Sequence, residues 1–236
     1  MRNDGRANDE LRPVSIEPGY LDYADGSALI TCGKTRVLCA ATIEANVPPW
    51  LVGKGRGWVT GEYAMLPRST LTRTPRETKG PSGRTQEIQR LVGRSLRAAV
   101  NLGALGERMV IIDCDVLQAD GGTRTASVTG GYVALVLALR KLIQDGSIDA
   151  HVLAAPVAAV SVGLVHSDVM LDLCYEEDSH AEVDFNVVMN GAGRYIEIQG
   201  TAEGKPFSAA ELTRFLVLAQ HGIEDLMALQ RRALEA

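Results

Sequence analysis

The sequence lacks the marks of an exported, metal-clamped or membrane-bound chain. It has four cysteines in 236 residues, Cys32, Cys39, Cys114 and Cys174, and none is paired as C-x-x-C. Neither a zinc ribbon nor a thioredoxin-like site is therefore indicated, and reduced thiols packed in a cytosolic protein fit the spacing best. The N-terminal MRNDGRANDELRP is polar and charged, with no apolar segment of the kind a secretory signal carries. The longest apolar runs, YVALVLAL and VLAAPVAAVSVGLV, fall short of the roughly 20 residues that span a bilayer, so no membrane partner is expected. The histidines His151, His166, His180 and His221 show no metal-ligand spacing. No internal repeat or Pro/Ser-rich linker divides the chain, so the reading is one domain over residues 1–236.

Apolar residues make up 46% of the chain, enough to build a sizeable core at this length. The net charge of −5 alone argues against a nucleic-acid binder, but its distribution argues otherwise. From Lys54 to Arg97 there are ten basic and three acidic residues, a local +7 that leaves −12 for the remainder. Such asymmetry predicts a basic face on an acidic body.

Periodicity places the elements. Short strands surround the turns ADGS and CGK in the first fifty residues. Residues 47–84, rich in Gly, Pro, Arg and Thr, read as strand fragments and a long loop of the kind that is usually functional or mobile. TQEIQRLVGRSLRAAVNLG is a helix, with Ile88, Leu91, Val92, Leu96 and Ala99 on one face and Gly103 as its stop. The strand MVIIDCDVLQ leads through DGGTRT into an apolar helix to about Gln144. Four strands, VAAVSVGLV, VMLDLCYEE, AEVDFNVVMN and RYIEIQG, read as an antiparallel meander. A last helix opens at Ser208–Glu211 with a capping box and a Phe207–Leu212 staple. Mixed strands and helices of this kind make an α+β domain of layered sheets and helices.

Three constellations carry chemistry. In ADGGTRTAS the glycines let backbone approach a ligand, and the helix start offers unpaired N–H groups and the positive end of a dipole. Thr123 adds a hydroxyl and Arg124 a bidentate donor. The turn is neither a Rossmann nor a Walker loop. A turn merely capped by Thr123 or Thr125, with Arg124 in solvent, fits this stretch equally well. PSGRTQEIQRLVGRSLR repeats the arrangement with Arg84, and adds Arg90, Arg94 and Arg97 as a basic stripe with no acid four positions away. It follows a loop bearing Arg68, Arg73 and Arg76. Arginines so gathered point to a nucleic-acid backbone. In LDLCYEEDSHAEVDFNVVMN, alternation puts Asp184 and Asn186 on one strand face, over which Asp178 can lean. Two such carboxylates can hold Mg²⁺ together with substrate phosphate oxygens, although by pattern alone an ordinary acidic hairpin is favoured.

Together, GRTQEIQRLVGRSLR, CDVLQADGGTRTASVTG and LDLCYEEDSHAEVDFNVVM resemble the ribonuclease PH family of phosphorolytic, tRNA-trimming enzymes. RNDGRANDELRP and GWVTGEYAMLPRST fit as well, so the resemblance covers nearly the whole chain. It implies a ribosomal-protein-S5-domain-2-like α+β fold and a ring-shaped homohexamer built as a trimer of dimers. It implies cytoplasmic 3′→5′ removal of nucleotides from tRNA precursors and other RNA 3′ ends. Inorganic phosphate is then the attacking group, nucleoside diphosphates are released, and the reverse reaction adds nucleotides. The same resemblance makes Arg84, Gly122, Thr123 and Arg124 the phosphate-binding residues. It makes Asp178 and Asp184 the catalytic pair and the ligands of Mg²⁺ or another hard divalent cation. Arg68, Arg73 and Arg76 become loop residues that bind tRNA and touch a neighbouring subunit.

Phosphorolysis brings two anions to bonding distance, so the site needs cations and fixed N–H donors more than a nucleophilic side chain. A protonated Asp184 or a water on the cation is the candidate donor to the leaving 3′-oxygen. Two rivals remain: a non-catalytic RNA-binding ring subunit, and an enzyme of a small phosphorylated metabolite. The presence of all five phosphate and carboxylate residues favours an enzyme over the first, and the basic 54–97 stretch favours RNA over the second.

Overall fold

The first and third strands form where β-branched and aliphatic residues alternate with polar ones between turns, whereas the second is an apolar run buried along nearly all of its length. The three are β1 (Val14–Pro18), β2 (Gly26–Cys32) and β3 (Thr35–Glu44), and each pairs antiparallel with the next. In the computed structural model, which describes residues 2–204 and 206–235, β3 also pairs with β5 (Met109–Gln118). Parallel to β5 lies β4 (Trp58–Met65), so the first sheet runs β1-β2-β3-β5-β4. A parallel pair needs a crossover. It is made by the loop after β4 and by α1 (Gly83–Arg97), which packs on β4 through Ile88, Leu91, Val92 and Leu96.

The expected stop of α1 at Gly103 is not what forms. The helix ends at Arg97, Val100 bridges to Leu153, and Asn101 caps a new turn, α2 (Leu102–Leu105), by accepting from the Gly103 and Ala104 N–H groups. A β-branched residue paired with another segment, followed by a good Asn cap, outcompetes continuation of the helix.

The central helix, α3 (Thr123–Gln144), lies between two sheets. Close approach is bought by glycines: a Cβ on Gly130 would sit 2.7 Å from Ile30, and one on Gly26 would strike the Ala134 carbonyl. α3 as a whole is long and apolar enough to cross a membrane, which the short apolar runs did not predict. It is instead a core helix, with 67% of its most apolar window buried in the protein.

The second sheet is built from β6 (Val157–Val165), β7 (Asp168–Leu171), β8 (Val183–Asn190) and β9 (Tyr195–Ala202) in the order β7-β6-β8-β9. It is antiparallel throughout but not a meander, because β6 sits between β7 and β8. The strand expected over VMLDLCYEE stops at Leu171. The chain turns at Asp172 and forms one helical turn, α4 (Tyr175–Asp178). One face of β8 (Val183, Phe185, Val187, Met189) packs under α5 (Ala209–Glu235), where Phe185, Phe207 and Phe215 cluster. Burying each such ring contributes about 2–3 kcal/mol. The capping box that starts α5 is present: Ser208 Oγ accepts from the Glu211 N–H at 3.2 Å, and the Ser208 N–H donates to Glu211 Oε2 at 2.6 Å.

The polar N-terminus is not a solvated tail. Arg2, Arg6 and Arg12 are 5, 8 and 4% exposed. Buried guanidinium groups require partners, which are Glu177 for Arg2, Asp172 for Arg12 and, for Arg6, Asp4 at 2.7 Å with Asp172 and Glu177 farther off.

Candidate active site

The turn DGGTRT is held open by backbone geometry. Gly121 and Gly122 have φ of +74° and +66°, which glycine adopts without strain. Among the described residues no side chain caps the first turn of α3. Neither threonine serves as the cap: Thr125 Oγ1 donates to the Gly122 carbonyl at 2.9 Å, and Thr123 Oγ1 bonds the buried Tyr63 hydroxyl at 2.9 Å. The first N–H groups of α3 thus have no side-chain cap among the described residues, the arrangement that can receive an anion. Arg124 is not in solvent. Its Nη1 donates to Gln199 Oε1 at 3.1 Å and lies 3.5 Å from Glu87, with the side chain 16% exposed.

The start of α1 differs. Ser82 Oγ accepts from the Thr85 N–H at 3.3 Å, and Arg84 projects from the first turn, exposed and without a hydrogen bond to the described residues.

Asp178 ends α4 and Asp184 sits on β8, with Asn186 Nδ2 donating to both Asp184 oxygens at 3.4 Å. Burial, then the charge of Asp178, pushes Asp184 up to about 6, against the pull of Arg124, Asn186 and Arg84. Burial also raises Asp178, opposed by Arg124, Arg84 and Arg12. A half-buried Asp184 raised by the charge of a solvent-exposed Asp178 makes a carboxylate pair where a cation or a proton belongs.

A single cleft of about 420 Å³ is lined by Arg84, Gly121, Gly122, Thr123, Arg124, Asp178 and Asp184, together with Ser161, Tyr175 and Asn186. The structure therefore brings together every residue assigned to phosphate or to the carboxylate pair. Sequence reading missed Tyr63, Ser161, Tyr175 and Gln199. Only Gln199 carried a signal, as a polar residue alternating with apolar ones on β9.

The other arginines lie elsewhere. Arg68, Arg73 and Arg76 are exposed on the loop after β4, whose base is tied down by the Ala119 N–H donating to the Ser69 carbonyl at 2.8 Å. Arg76 and Arg84 share a second cleft of about 520 Å³ that adjoins the first through Met65, Thr74 and Arg84. The stripe Arg90, Arg94, Arg97 does not line the main cleft. Its premise of unpaired charge also fails in part: Arg94 pairs with Glu197 at 3.0 Å. Arg97 lies 4.2 Å over the Trp58 ring and donates to the Val59 carbonyl at 2.8 Å. These partners come from distant strands, so a search four residues away on the helix could not find them.

The donor set fits a hard divalent cation: two carboxylates and the Asn186 amide border a space open to substrate phosphates. Among the described residues no group of three His, Cys, Asp or Glu side chains surrounds a common point. A cation there would thus depend on phosphate oxygens for much of its coordination.

Comparison with known proteins agrees with this arrangement. Residues 10–141 match domain 1 of the 3′ exoribonuclease family, and residues 155–222 match domain 2. Ribonuclease PH of Moorella thermoacetica is 58% identical over 99% of this chain and 94% of its own length. Ribonuclease PH of Solibacter usitatus is 58% identical over the full length of both. In architecture the chain is similar to rice Rrp46 (TM-score 0.80, 19% identity, 99% of this chain and 100% of that one). It is also similar to a chain of the Archaeoglobus fulgidus exosome with RNA bound to the active site (TM-score 0.81, 23% identity, 97% and 92%). The expected S5-like layered α+β fold is the one adopted, and the chain belongs to the ribonuclease PH branch of the 3′ exoribonuclease family.

Proposed function

We propose that this protein shortens RNA from its 3′ end by phosphorolysis, acting on tRNA precursors. One observation carries the reading: an uncapped helix start, two arginines and a carboxylate pair converge on one cleft of about 420 Å³. A hydrolase would not need the anion cradle, and a purely RNA-binding subunit would not need the neighbouring carboxylates of Asp178 and Asp184.

The residues divide the work. The first-turn N–H groups of α3, with Thr123, Arg124 and Arg84, hold inorganic phosphate and screen its charge as it approaches the last phosphodiester. Bidentate guanidinium contacts fix the phosphate in line with the leaving 3′-oxygen. With no cation bound, Asp184, biased toward its protonated form by burial and the charge of Asp178, holds the proton that passes to that oxygen; as a cation ligand it is ionised, and water supplies the proton instead. Asp178, Asp184 and Asn186 would hold Mg²⁺ or another hard divalent cation, which supplies neutralisation of the scissile phosphate when bound. No nucleophilic side chain is required, since the phosphate oxygen attacks. The products are a nucleoside diphosphate and an RNA one nucleotide shorter, and the same geometry runs in reverse to add nucleotides.

RNA is led to the cleft by the exposed Arg68, Arg73 and Arg76, whose contacts are with phosphates and make affinity fall with salt. Arg90, Arg94 and Arg97 are outlying RNA contacts, of which Arg90 and Arg94 are exposed. The chain acts in the cytoplasm as a homohexameric ring, a trimer of dimers. We also take it to fold as one domain, because α3 packs on both sheets and Gln230 of α5 donates to the carbonyls of both Thr129 and Val157 at 2.9 Å.

The test is incubation of a tRNA bearing extra 3′ nucleotides with and without phosphate. Nucleoside diphosphates are expected only with phosphate, and monophosphates in either lane would identify a hydrolase. Asp184→Asn should abolish turnover while leaving RNA binding nearly intact.

A further inference from the structure

The three N-terminal arginines lie outside the cleft chemistry just described, yet with Asp172 and Glu177 they make up the buried charges among the described residues. Arg12 is clamped on Asp172. Its Nε donates to Oδ2 at 2.9 Å, its Nη2 to Oδ1 at 2.6 Å, and its backbone N–H to Oδ2 at 2.9 Å. Its remaining nitrogen, Nη1, donates to the Asp120 carbonyl in the phosphate turn. Nη2 packs so closely on Gly122 that a Cβ there would lie 2.9 Å away. Asp172 itself adopts a left-handed backbone, φ +52°, unusual for a residue with a side chain. Arg2 and Arg6 donate to its carbonyl at 3.1 and 3.2 Å, and Arg2 also donates to the Leu171 carbonyl at 2.8 Å.

The same cluster holds α4. Arg2 forms a two-pronged bond to Glu177, both contacts at 2.7 Å, and Glu177 accepts from the Cys174 N–H at 3.0 Å. Across the gap, Asp120 Oδ1 accepts from the Tyr175 N–H at 3.3 Å. The phosphate turn and the helical turn bearing Asp178 are therefore fastened to one another through Asp120; Arg12 holds the first, Arg2 holds the second, and both arginines bond Asp172.

We infer that Arg12, Asp172 and Asp120 are positioning residues that set the distance between bound phosphate and Asp178. None of the three needs to touch substrate. The polar N-terminal segment is thus the back wall of the active site, and loosening it should be felt first as loss of phosphate affinity. The inference rests on the proposed phosphorolytic reading.

The test is a split of kinetic constants in the full chain. Arg12→Lys keeps the charge and loses the fork. It should raise the KM for inorganic phosphate about tenfold and lower kcat while leaving the KM for RNA within about twofold, since small displacements of a reacting group are costly. Asp120→Ala removes a half-exposed side chain and should show the same split on a smaller scale, rescued by Asp120→Asn, whose amide oxygen can still accept from Tyr175. Should Arg12→Lys fail to fold, the Asp120 pair decides. A role in stability alone would lower the active fraction with both KM values unchanged, and that result overturns the inference. A wild-type enzyme indifferent to phosphate would overturn the functional reading and this inference with it. A phosphate-dependent wild type whose variants keep its phosphate KM overturns the inference alone.

Discussion

Two helix starts face the same cleft, and they are built on opposite plans. α1 opens in the usual way: Ser82 caps it, Thr85 Oγ1 also bonds Glu77, and space around Gly83 is empty. α3 opens on two left-handed glycines with no side-chain cap, wedged against the Leu173–Tyr175 backbone and the Arg12 guanidinium. A cap satisfies the first N–H groups and removes them from use, whereas an uncapped start leaves them for a ligand. The α1 start is therefore stable on its own account and offers a flexible arginine. The α3 start offers backbone, and its stability comes from buried neighbours.

The sharpest way to break this contrast is to add one methyl group to each start. At Gly121 a Cβ would lie 2.5 Å from the Leu173 carbonyl and 2.9 Å from the Tyr175 nitrogen, on a backbone of φ +74°. Gly121→Ala should cost more than about 4 kcal/mol in unfolding free energy, and any folded enzyme should lose about 10²-fold in phosphate-dependent turnover. At Gly83 nothing lies within 4 Å, and Gly83→Ala should be neutral or stabilise by about 0.5 kcal/mol. Similar unfolding curves for the two variants would show the starts to be alike after all.

Next in size is the support behind α3. Burial works against the Asp172 carboxylate, but the Arg12 fork, with help from Arg6, holds it below its ordinary 3.8. A carboxylate whose folded value is depressed contributes stability that is fully present above the unfolded value and is lost as pH falls through the folded one. Asp172→Asn should therefore cost about 3 kcal/mol at pH 7, a gap that narrows below about pH 4. Urea unfolding of both proteins from pH 7 to 3 measures it, and a gap independent of pH would remove the ion pair from the account.

What could be read in advance follows this division. The residues proposed to meet ligand stand in short, contiguous patterns: glycines before a helix, arginines in first turns, and one acid alternating with apolar residues on β8 after another in the turn before it. Their types and spacing allowed a phosphate cradle and a cation pair, but by pattern alone a capped turn fitted as well and an ordinary acidic hairpin fitted better; the family resemblance made the assignment. The supporting contacts join residues far apart in sequence, Arg12 with Asp172, Arg2 with Glu177 and Arg94 with Glu197, and no local period reports them. The same limit misread the fold in detail. Periodicity carried α1 on to Gly103 and the β7 strand past Leu171, because the Val100–Leu153 bridge and the Asp172 turn are set by partners outside the window.

The arginines of the two starts offer a smaller difference. Arg124 is held by Gln199 and Glu87, whereas Arg84 stands exposed without a hydrogen bond to the described residues. A prepositioned donor loses less entropy on binding, so Arg124→Ala should lower kcat/KM for phosphate by about 2–3 kcal/mol, or roughly 30- to 150-fold, and Arg84→Ala by less. Steady-state titration with phosphate at saturating RNA gives both numbers. A larger loss at Arg84 would mean that the loop side of the cleft closes on the phosphate and orders that arginine.

The smallest effect tests the claim that the α1 cap serves the helix alone. Ser82→Ala removes the acceptor for the Thr85 N–H while leaving Arg84 in place. Loss of such a cap costs about 1 kcal/mol, which in a chain of this size lowers the thermal midpoint by roughly 2–4 °C. Because the freed N–H sits at a start that already depends on its own cap, the phosphate KM should stay within about twofold. A calorimetric scan beside a phosphate titration separates the two readouts. If the midpoint holds while the phosphate KM moves severalfold, the α1 start binds the anion through its backbone too, and the cleft is a cradle of two helix ends.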